Sequence, residues 1–310
     1  MMGESRHNSL VAPTTMGSMS IDVDFARGPR LVPALAADFP RRFSDLATGC
    51  PAELWVDGRL PRADETLIAV VGSRASSLKA AAQVTALAAE LAGAGHPIVS
   101  GGALGIDAAA HRGALQAGAP TFAVLGCGID IVYPDRHTAL FRDIAAHGGL
   151  LSEYAPGVQP KRGQFPARNR LVAALASVVV VGECRARSGA LITARLALKL
   201  GRRVCAIPGS GGTDALLASG AAWPVRTAEE VIAAVAGIAP APQALEAGSE
   251  EGQDSTGLRR VLNQGPLTAE EVSVRLGRGL GEVLGLLSEG ELEGWVLRRS
   301  GGRFEVHRGH

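Results

Sequence analysis

The sequence predicts an α/β protein: an extended, Rossmann-like, doubly wound parallel sheet followed by a small C-terminal winged-helix domain. Three observations lead there. Between about residues 60 and 238, short continuous apolar runs alternate with helical patterns of ten or more residues, the signature of a parallel sheet covered on both faces. After Ile238 the composition shifts to APAPQALEAGSEEGQDSTG, with no apolar periodicity. Beyond that stretch, three short helical patterns precede two strands flanking Ser300-Gly301-Gly302.

Taken in order, residues 1–28 are rich in Ser, Gly, Met and Thr and read as a flexible tail, with Met16 or Met19 as alternative starts. Residues 29–60 are an N-terminal extension. The Rossmann-like domain, 61–238, opens with the run Thr66–Gly72, then helix Ser77–Ala94, strand His96–Ser100 and helix Ile106–Gln116. Strand Thr121–Leu125, helix Thr138–His147 and strand Gly149–Glu153 follow. Strand Ser177–Gly182, helix Ala190–Leu200 and strand Arg203–Ile207 complete it. Right-handed crossovers turn such a run into a doubly wound sheet. Residues 239–256 are a linker, and 257–310 the winged helix, with helices Leu258–Leu262, Thr268–Leu276 and Leu280–Leu287 and a hairpin,.

The 310 residues carry 31 basic and 30 acidic side chains, a balance that argues against binding nucleic acid through the overall field. That sum hides segregation. From Lys161 to Arg203 there are ten basic residues and one acid, Glu183, a net of +9. Lys79, Lys161 and Lys199 are the only lysines, so 28 of the 31 cations are arginine, whose flat fork suits phosphate; a genome rich in G and C gives the same bias. Cys50, Cys127, Cys184 and Cys205 form no C-x-x-C, so neither a metal site nor a disulfide framework is expected. No apolar run reaches 18 residues and no signal pattern opens the chain, which predicts a cytoplasmic protein without membrane insertion.

Ligands of open parallel sheets bind beyond the carboxyl ends of the strands, and the loops there are glycine-rich. They are Gly72-Ser73-Arg74, Ser100-Gly101-Gly102 with Gly105, Gly126-Cys127-Gly128, Ser188-Gly189 and Pro208-Gly209-Ser210-Gly211-Gly212. Five such loops on one rim predict a phosphate site, because backbone N–H groups and helix starts approach an anion closely there. A P-loop and a dinucleotide fingerprint are both absent,, and no cofactor is expected. Asp107 reads as a loop cap, Asp135 as a helix cap and His111 as the polar flank of a helix. Arg162, Arg168 and Arg170 read as a loop around Phe165-Pro166, a combination that fits a single strand, with phosphates on guanidinium groups and a base on the ring. In the C-terminal module, Leu280–Glu289 presents Glu282 and Glu289 rather than cations, which predicts an auxiliary or protein-contact unit. Arg298, Arg299 and Arg303 leave weak DNA contact by the wing open.

VVGSRASS (70–77), VSGGALGIDAAAHRGAL (99–115), AVLGCGIDIVYPDRH (123–137), FPARNRLVAALA (165–176) and SGALITARLALKLGRRVCAIPG (188–209) occur in this order. Together they resemble the DNA-processing protein A family over about residues 37–224. The resemblance implies a cytoplasmic protein that binds and shields incoming single-stranded DNA in natural transformation and helps load the RecA recombinase. It also implies a homodimer without catalysis. DNA contacts are implied at Arg74, Arg162 and Phe165, a phosphate at Ser100-Gly101, and pocket-shaping roles at Asn169 and Arg170. Leu104 stands where the family usually has a basic residue, and Ala173 and Ala174 replace its serine and glycine. The dimer interface is expected near Thr193–Leu200 or Ala228–Val235.

Two other readings come from other classes. Pro208 to Asp214 is similar to the phosphate loop of the lysine-decarboxylase-like phosphoribohydrolases, but Leu216 stands where their glutamate should be. A plain mononucleotide sensor would use the same rim.

Overall fold

The computed structural model describes residues 28–186, 188–238, 251–292 and 295–307. The predicted tail, apart from Gly28, and residues 239–250 of the predicted linker lie outside the described residues. The chain begins with β1 (Arg30–Pro33), a 3-10 segment (Arg41–Gly49) and β2 (Glu53–Gly58). It continues through β3 (Ile68–Val71), α1 (Leu78–Gly93), β4 (Ile98–Ser100), α2 (Ile106–Gln116), β5 (Thr121–Val124), α3 (Thr138–His147) and β6 (Gly149–Ser152). Then come α4 (Gln164–Leu175), β7 (Val178–Val181), α5 (Gly189–Lys199), β8 (Arg203–Ala206), α6 (Gly211–Ala218), β9 (Trp223–Pro224) and α7 (Ala228–Val235).

The nine strands form one sheet in the order β1-β2-β6-β5-β4-β3-β7-β8-β9. All neighbours from β6 to β9 are parallel, while β1–β2 and β2–β6 are antiparallel. Side chains of a strand alternate between faces, and the apolar runs divide accordingly. Ile68, Val70, Val178 and Val180 join Leu87, Leu91 and Val231 in a core under α1, α2 and α7. Ala69, Val71, Val179 and Val181 join Leu171, Leu175 and Leu196 in a second core under α4, α5 and the 3-10 segment. Ser77 starts α1 by accepting the Ala80 N–H at 3.1 Å, which satisfies one of the orphan donors of a helix start.

The C-terminal unit comprises α8 (Glu251–Leu262), β10 (Leu267–Thr268), α9 (Ala269–Leu276), α10 (Leu280–Leu292), β11 (Val296–Arg299) and β12 (Arg303–Val306). Its sheet runs β10-β12-β11, all antiparallel, the element order of a winged helix. Thr268 and Glu271 form a reciprocal cap on α9, and Gly277 ends that helix in the left-handed conformation. Leu258, Val272, Leu284, Leu287 and Val296 close a core of its own. The unit is also fastened to the sheet domain. Thr48 Oγ1 donates to the Glu291 carbonyl at 2.8 Å, and Arg298 reaches Glu153 at 3.2 Å.

The structure corrects the sequence reading at several places. Residues 164–175 are the helix α4, not a loop. Pro166 is tolerated because it sits in the first turn, where the N–H that proline lacks has no intrahelical partner. Helix α8 begins at Glu251, inside the predicted linker; the run EGQDSTG has no apolar residue to reveal it. His111 is fully buried rather than a polar flank, its Nδ1 2.7 Å from Thr121 Oγ1. Thr121 Oγ1 already donates to the Ile98 carbonyl, so the His111 ring is the donor in that pair. Desolvation, then the charges of His137, Arg168 and Arg112, push its pKa down to about 3. The wing arginines are all engaged within the protein. Arg298 pairs with Glu153 and is largely covered, whereas Arg299 and Arg303 pair with Glu305 and Glu271 and remain half-exposed. Of the two surfaces expected to dimerise, α5 packs against α4 and α10 and has Thr193, Ala194, Leu196 and Ala197 buried, so it is not free.

Candidate nucleic-acid interface

The winding of the sheet reverses between β3 and β7, and the loops that leave those strands diverge into a crevice, as expected at a topological switch point. A cavity of about 300 Å³ occupies it. Its lining brings together Gly72, Ser73 and Arg74 after β3, Gly101 after β4, Phe165, Arg168 and Asn169 from α4, and Ser188 and Gly189 at the start of α5. These are nine of the residues that the sequence singles out.

Arg74 is exposed at the mouth, with its guanidinium carbon 5.0 Å from the Phe165 ring centroid. Phe165 is placed by the start of α4 and by Gly126, where a Cβ would stand 2.8 Å from the ring's Cδ1. Glycine at 126 is therefore a seat for the ring. Tyr133 packs on Phe165 as well, at a centroid distance of 5.3 Å.

Arg168 forms the floor. It is only 3% exposed, and its Nη1 donates to the carbonyls of Gly101 at 2.5 Å and of Val124. Those carbonyls terminate β4 and β5, so Arg168 ties the strand ends to α4. Burial lowers its pKa to about 10; Asp107 opposes that shift and Arg74 adds to it, so the group stays charged at neutral pH. Asp107 accepts the N–H groups of Gly101 at 3.1 Å and Ala103 at 3.4 Å, the loop-cap role read from the sequence. Desolvation raises the Asp107 pKa against the pull of Arg168.

The backbone of the rim is less available than its glycines suggest. Ser73 N–H donates to the Glu183 carbonyl, Gly128 to Val158, Gly209 to Asp214 and Gly212 to Cys184. Gly105 adopts φ +75°, with the position of a Cβ 2.2 Å from the Ser73 carbonyl oxygen. Its role is to let two rim loops touch. Gly102 packs on Phe141, Gly128 on Ala155, and the Ser100 hydroxyl donates to the Val70 carbonyl. The site thus presents side chains, guanidinium groups and an aromatic ring, more than a backbone cradle.

Five other residues singled out by the sequence lie elsewhere. Arg162 is exposed just before α4 and outside the cavity, without an ion pair among the described residues. Arg170, 2% exposed, points away from it and forms a two-toothed ion pair with Glu153 at 2.7 and 2.8 Å. Its sequence spacing from Arg168 could not show this, because only the helix sends the two side chains into different cores. Burial works against the Glu153 charge, but Arg170 and Arg298 together hold its pKa at about 2. Ala173 and Ala174 are fully buried in the last turn of α4, and Leu104 is 38% exposed beside the cavity without lining it.

Sequence reasoning missed three contributors: Tyr133, Thr193 and Arg185. The last two line the cavity. Arg185 was visible as part of the basic run, whereas nothing in the sequence links Tyr133 to Phe165 across 32 positions. Asp214 and Leu216, which the enzyme reading would require, are a loop cap on Gly209 N–H and a buried core residue. Among the described residues no cluster of His, Cys, Asp or Glu is arranged to hold a metal, and no helix is long and apolar enough to cross a membrane.

The family model for DNA recombination-mediator protein A matches residues 30–236. The chain belongs to that family. The match ends close to α7, so it spans the sheet domain that carries the cavity. Among relatives of this recombination-mediator family member, the DNA processing protein DprA of Mycobacterium tuberculosis is 42% identical over 265 residues, covering 81% of this chain and 68% of that protein. Protein Smf of Escherichia coli is 35% identical over 292 residues, covering 90% of this chain and 78% of its own. The crystal structure of DNA processing protein A from Streptococcus pneumoniae aligns with a TM-score of 0.62 at 39% identity, over 67% of this chain and 74% of that one. The Helicobacter pylori protein, studied for its single-stranded DNA binding mode, aligns with a TM-score of 0.61 at 32% identity, over 68% and 97%. The fold expectation holds, and the family gives this chain a role in DNA processing.

Proposed function

We propose that this protein is a non-catalytic, cytoplasmic, single-stranded DNA-binding recombination mediator, one that shields incoming DNA in natural transformation and helps load RecA. The observation that carries the reading is the cavity at the switch point, where Arg74, Arg168 and Arg185 surround an aromatic ring and one acid, Asp107, is buried as a loop cap. A recess between loops admits a base only when that base is unpaired, and guanidinium groups beside a ring suit phosphate and base together. The site therefore selects a single strand over a duplex. Arg162, exposed next to α4, extends the cationic track out of the cavity.

The mediator part of the reading rests on family membership and on the DNA-binding relative, and so does the homodimer. With α5 covered, the surface proposed for pairing is α7, where Ile232 and Val235 are half-buried and Ile238 just beyond is 79% exposed. The test is a titration of the purified chain with labelled oligo-dT and with a duplex of equal length across a range of salt. The reading predicts tighter binding to the single strand and an affinity that falls steeply with salt. Equal binding to both would overturn the proposed selectivity. Stimulation of RecA filament formation on coated DNA tests the mediator role separately.

A further inference from the structure

Tyr133 does not line the cavity, yet it packs on Phe165, which does. It lies in the rim loop after β5 and is 43% exposed, the aromatic side chain left most open among the described residues. Large aromatic rings are normally buried because of their apolar area, so an open one beside a cationic cavity needs a reason. Its neighbours supply the geometry. The Tyr133 and Phe165 centroids are 5.3 Å apart with planes tilted by 34°, and Arg74 lies 5.0 Å from the same Phe165 ring. Three flat groups from three separate segments thus meet at one ring. Phe165 touches both of the others and is only partly open, while Arg74 and Tyr133 are exposed.

We propose that Tyr133 is a second base-stacking platform of the single-strand site, which carries the nucleotide next to the one that enters the cavity. This rests on the single-stranded DNA reading above. The chemistry is that of a nucleobase face on a phenol ring: tolerant of sequence, indifferent to charge, and additive to the phosphate contacts of Arg74. A base on Tyr133 also continues the ladder from Phe165, so an extended strand would leave the cavity over this ring. A stacked base accounts for a tyrosine that packs on Phe165 and stays 43% exposed.

The test uses the full chain with two probes of equal length and charge, oligo-dT and an abasic oligonucleotide. Stacking on one ring is worth roughly 1–3 kcal/mol, or about 5- to 150-fold in affinity. Tyr133→Leu should therefore lower affinity for oligo-dT by about 5-fold or more, leave the salt dependence unchanged and leave binding to the abasic strand unaltered. Tyr133→Phe should bind like the parent protein. The proposal is overturned if Tyr133→Leu binds oligo-dT as before, or if it loses both probes equally, which is the mark of a structural role. If the parent protein binds neither probe, the single-strand reading itself fails.

Discussion

The Arg74 guanidinium sits 5.0 Å from the centroid of the Phe165 ring, joining the loop after β3 to the start of α4 across the switch point. A cation on a ring face is held in place without an acid partner, so its N–H groups stay open to phosphate. Arg74→Ala should weaken single-strand binding by roughly 1–3 kcal/mol and flatten the plot of log affinity against log salt by about one. Phe165→Leu should weaken binding to a similar degree without changing that slope. Fluorescence anisotropy over several salt concentrations separates the two effects.

Gly126→Ala tests the seat of the ring. The added Cβ would stand 2.8 Å from Phe165 Cδ1, closer than carbon atoms approach, and the ring is the part free to move. The variant should fold normally and bind DNA as weakly as Phe165→Leu. A variant that binds like the parent would show that the ring's placement is irrelevant.

Arg170 and Arg74 should give opposite signatures. Arg170 is 2% exposed and paired with Glu153. Its removal leaves buried Glu153 with Arg298 alone and strips the Gly49 and Ala167 carbonyls of a side-chain donor, at a cost of about 1–3 kcal/mol. Arg170→Ala should lower the urea midpoint sharply, whereas Arg74→Ala should leave it almost unchanged.

Arg298 is the more buried of two ion-pair fastenings between the C-terminal unit and the sheet domain, donating to Glu153 at 3.2 Å and to the Tyr154 hydroxyl at 3.3 Å; Lys199 pairs with Glu289 at 3.5 Å as the other. In Arg298→Ala, Glu153 keeps Arg170 and the sheet domain stays intact, while the C-terminal unit loses that tie. Limited proteolysis should then separate the C-terminal unit from the sheet domain faster. An unchanged rate would mean that the Lys199–Glu289 pair, the Thr48 contacts and apolar packing suffice.

Acid should destabilise the protein in two windows. His111 is neutral when folded, with a pKa near 3 against 6.5 ordinarily. The unfolded chain therefore takes up the proton first, and stability falls as pH drops below about 6.5. The depressed pKa of Glu153, about 2 against 4.5, adds stability above 4.5 that is lost as pH falls towards 2. Glu291, raised by burial, works in the opposite sense near the second window. Urea midpoints from about pH 7 to about pH 4.5 should decline, and His111→Asn should flatten the first part of that decline.

How much of this was legible depends on where the information lies. Helices α2 and α3 begin and end as expected, and the central strands fall within two residues of their apolar runs, because a buried parallel strand must be continuously apolar,. Strands β1 and β2, at the antiparallel end of the sheet, were not read as strands. Their partners are antiparallel and their residues half-exposed, so RLVP and ELWVDG carry no continuous run. Helix α4 was hidden by Pro166, and with it the separation of Arg168 from Arg170. The rim glycines also serve a purpose the sequence did not show: Gly105 and Gly126 permit close packing against Ser73 and Phe165. Tyr133 and the Arg298–Glu153 pair join positions far apart in sequence, and no local pattern encodes such contacts.

The central claim is that the strand runs through the cavity between β3 and β7. Photo-crosslinking of the full chain to oligo-dT bearing a reactive base, followed by mass spectrometric mapping, tests it most directly. Crosslinks are predicted on Phe165 and Tyr133 and on peptides that contain Arg74 or Arg185. Crosslinks confined to the C-terminal unit, or to the opposite end of the sheet around Arg41 and Arg62, would contradict the account.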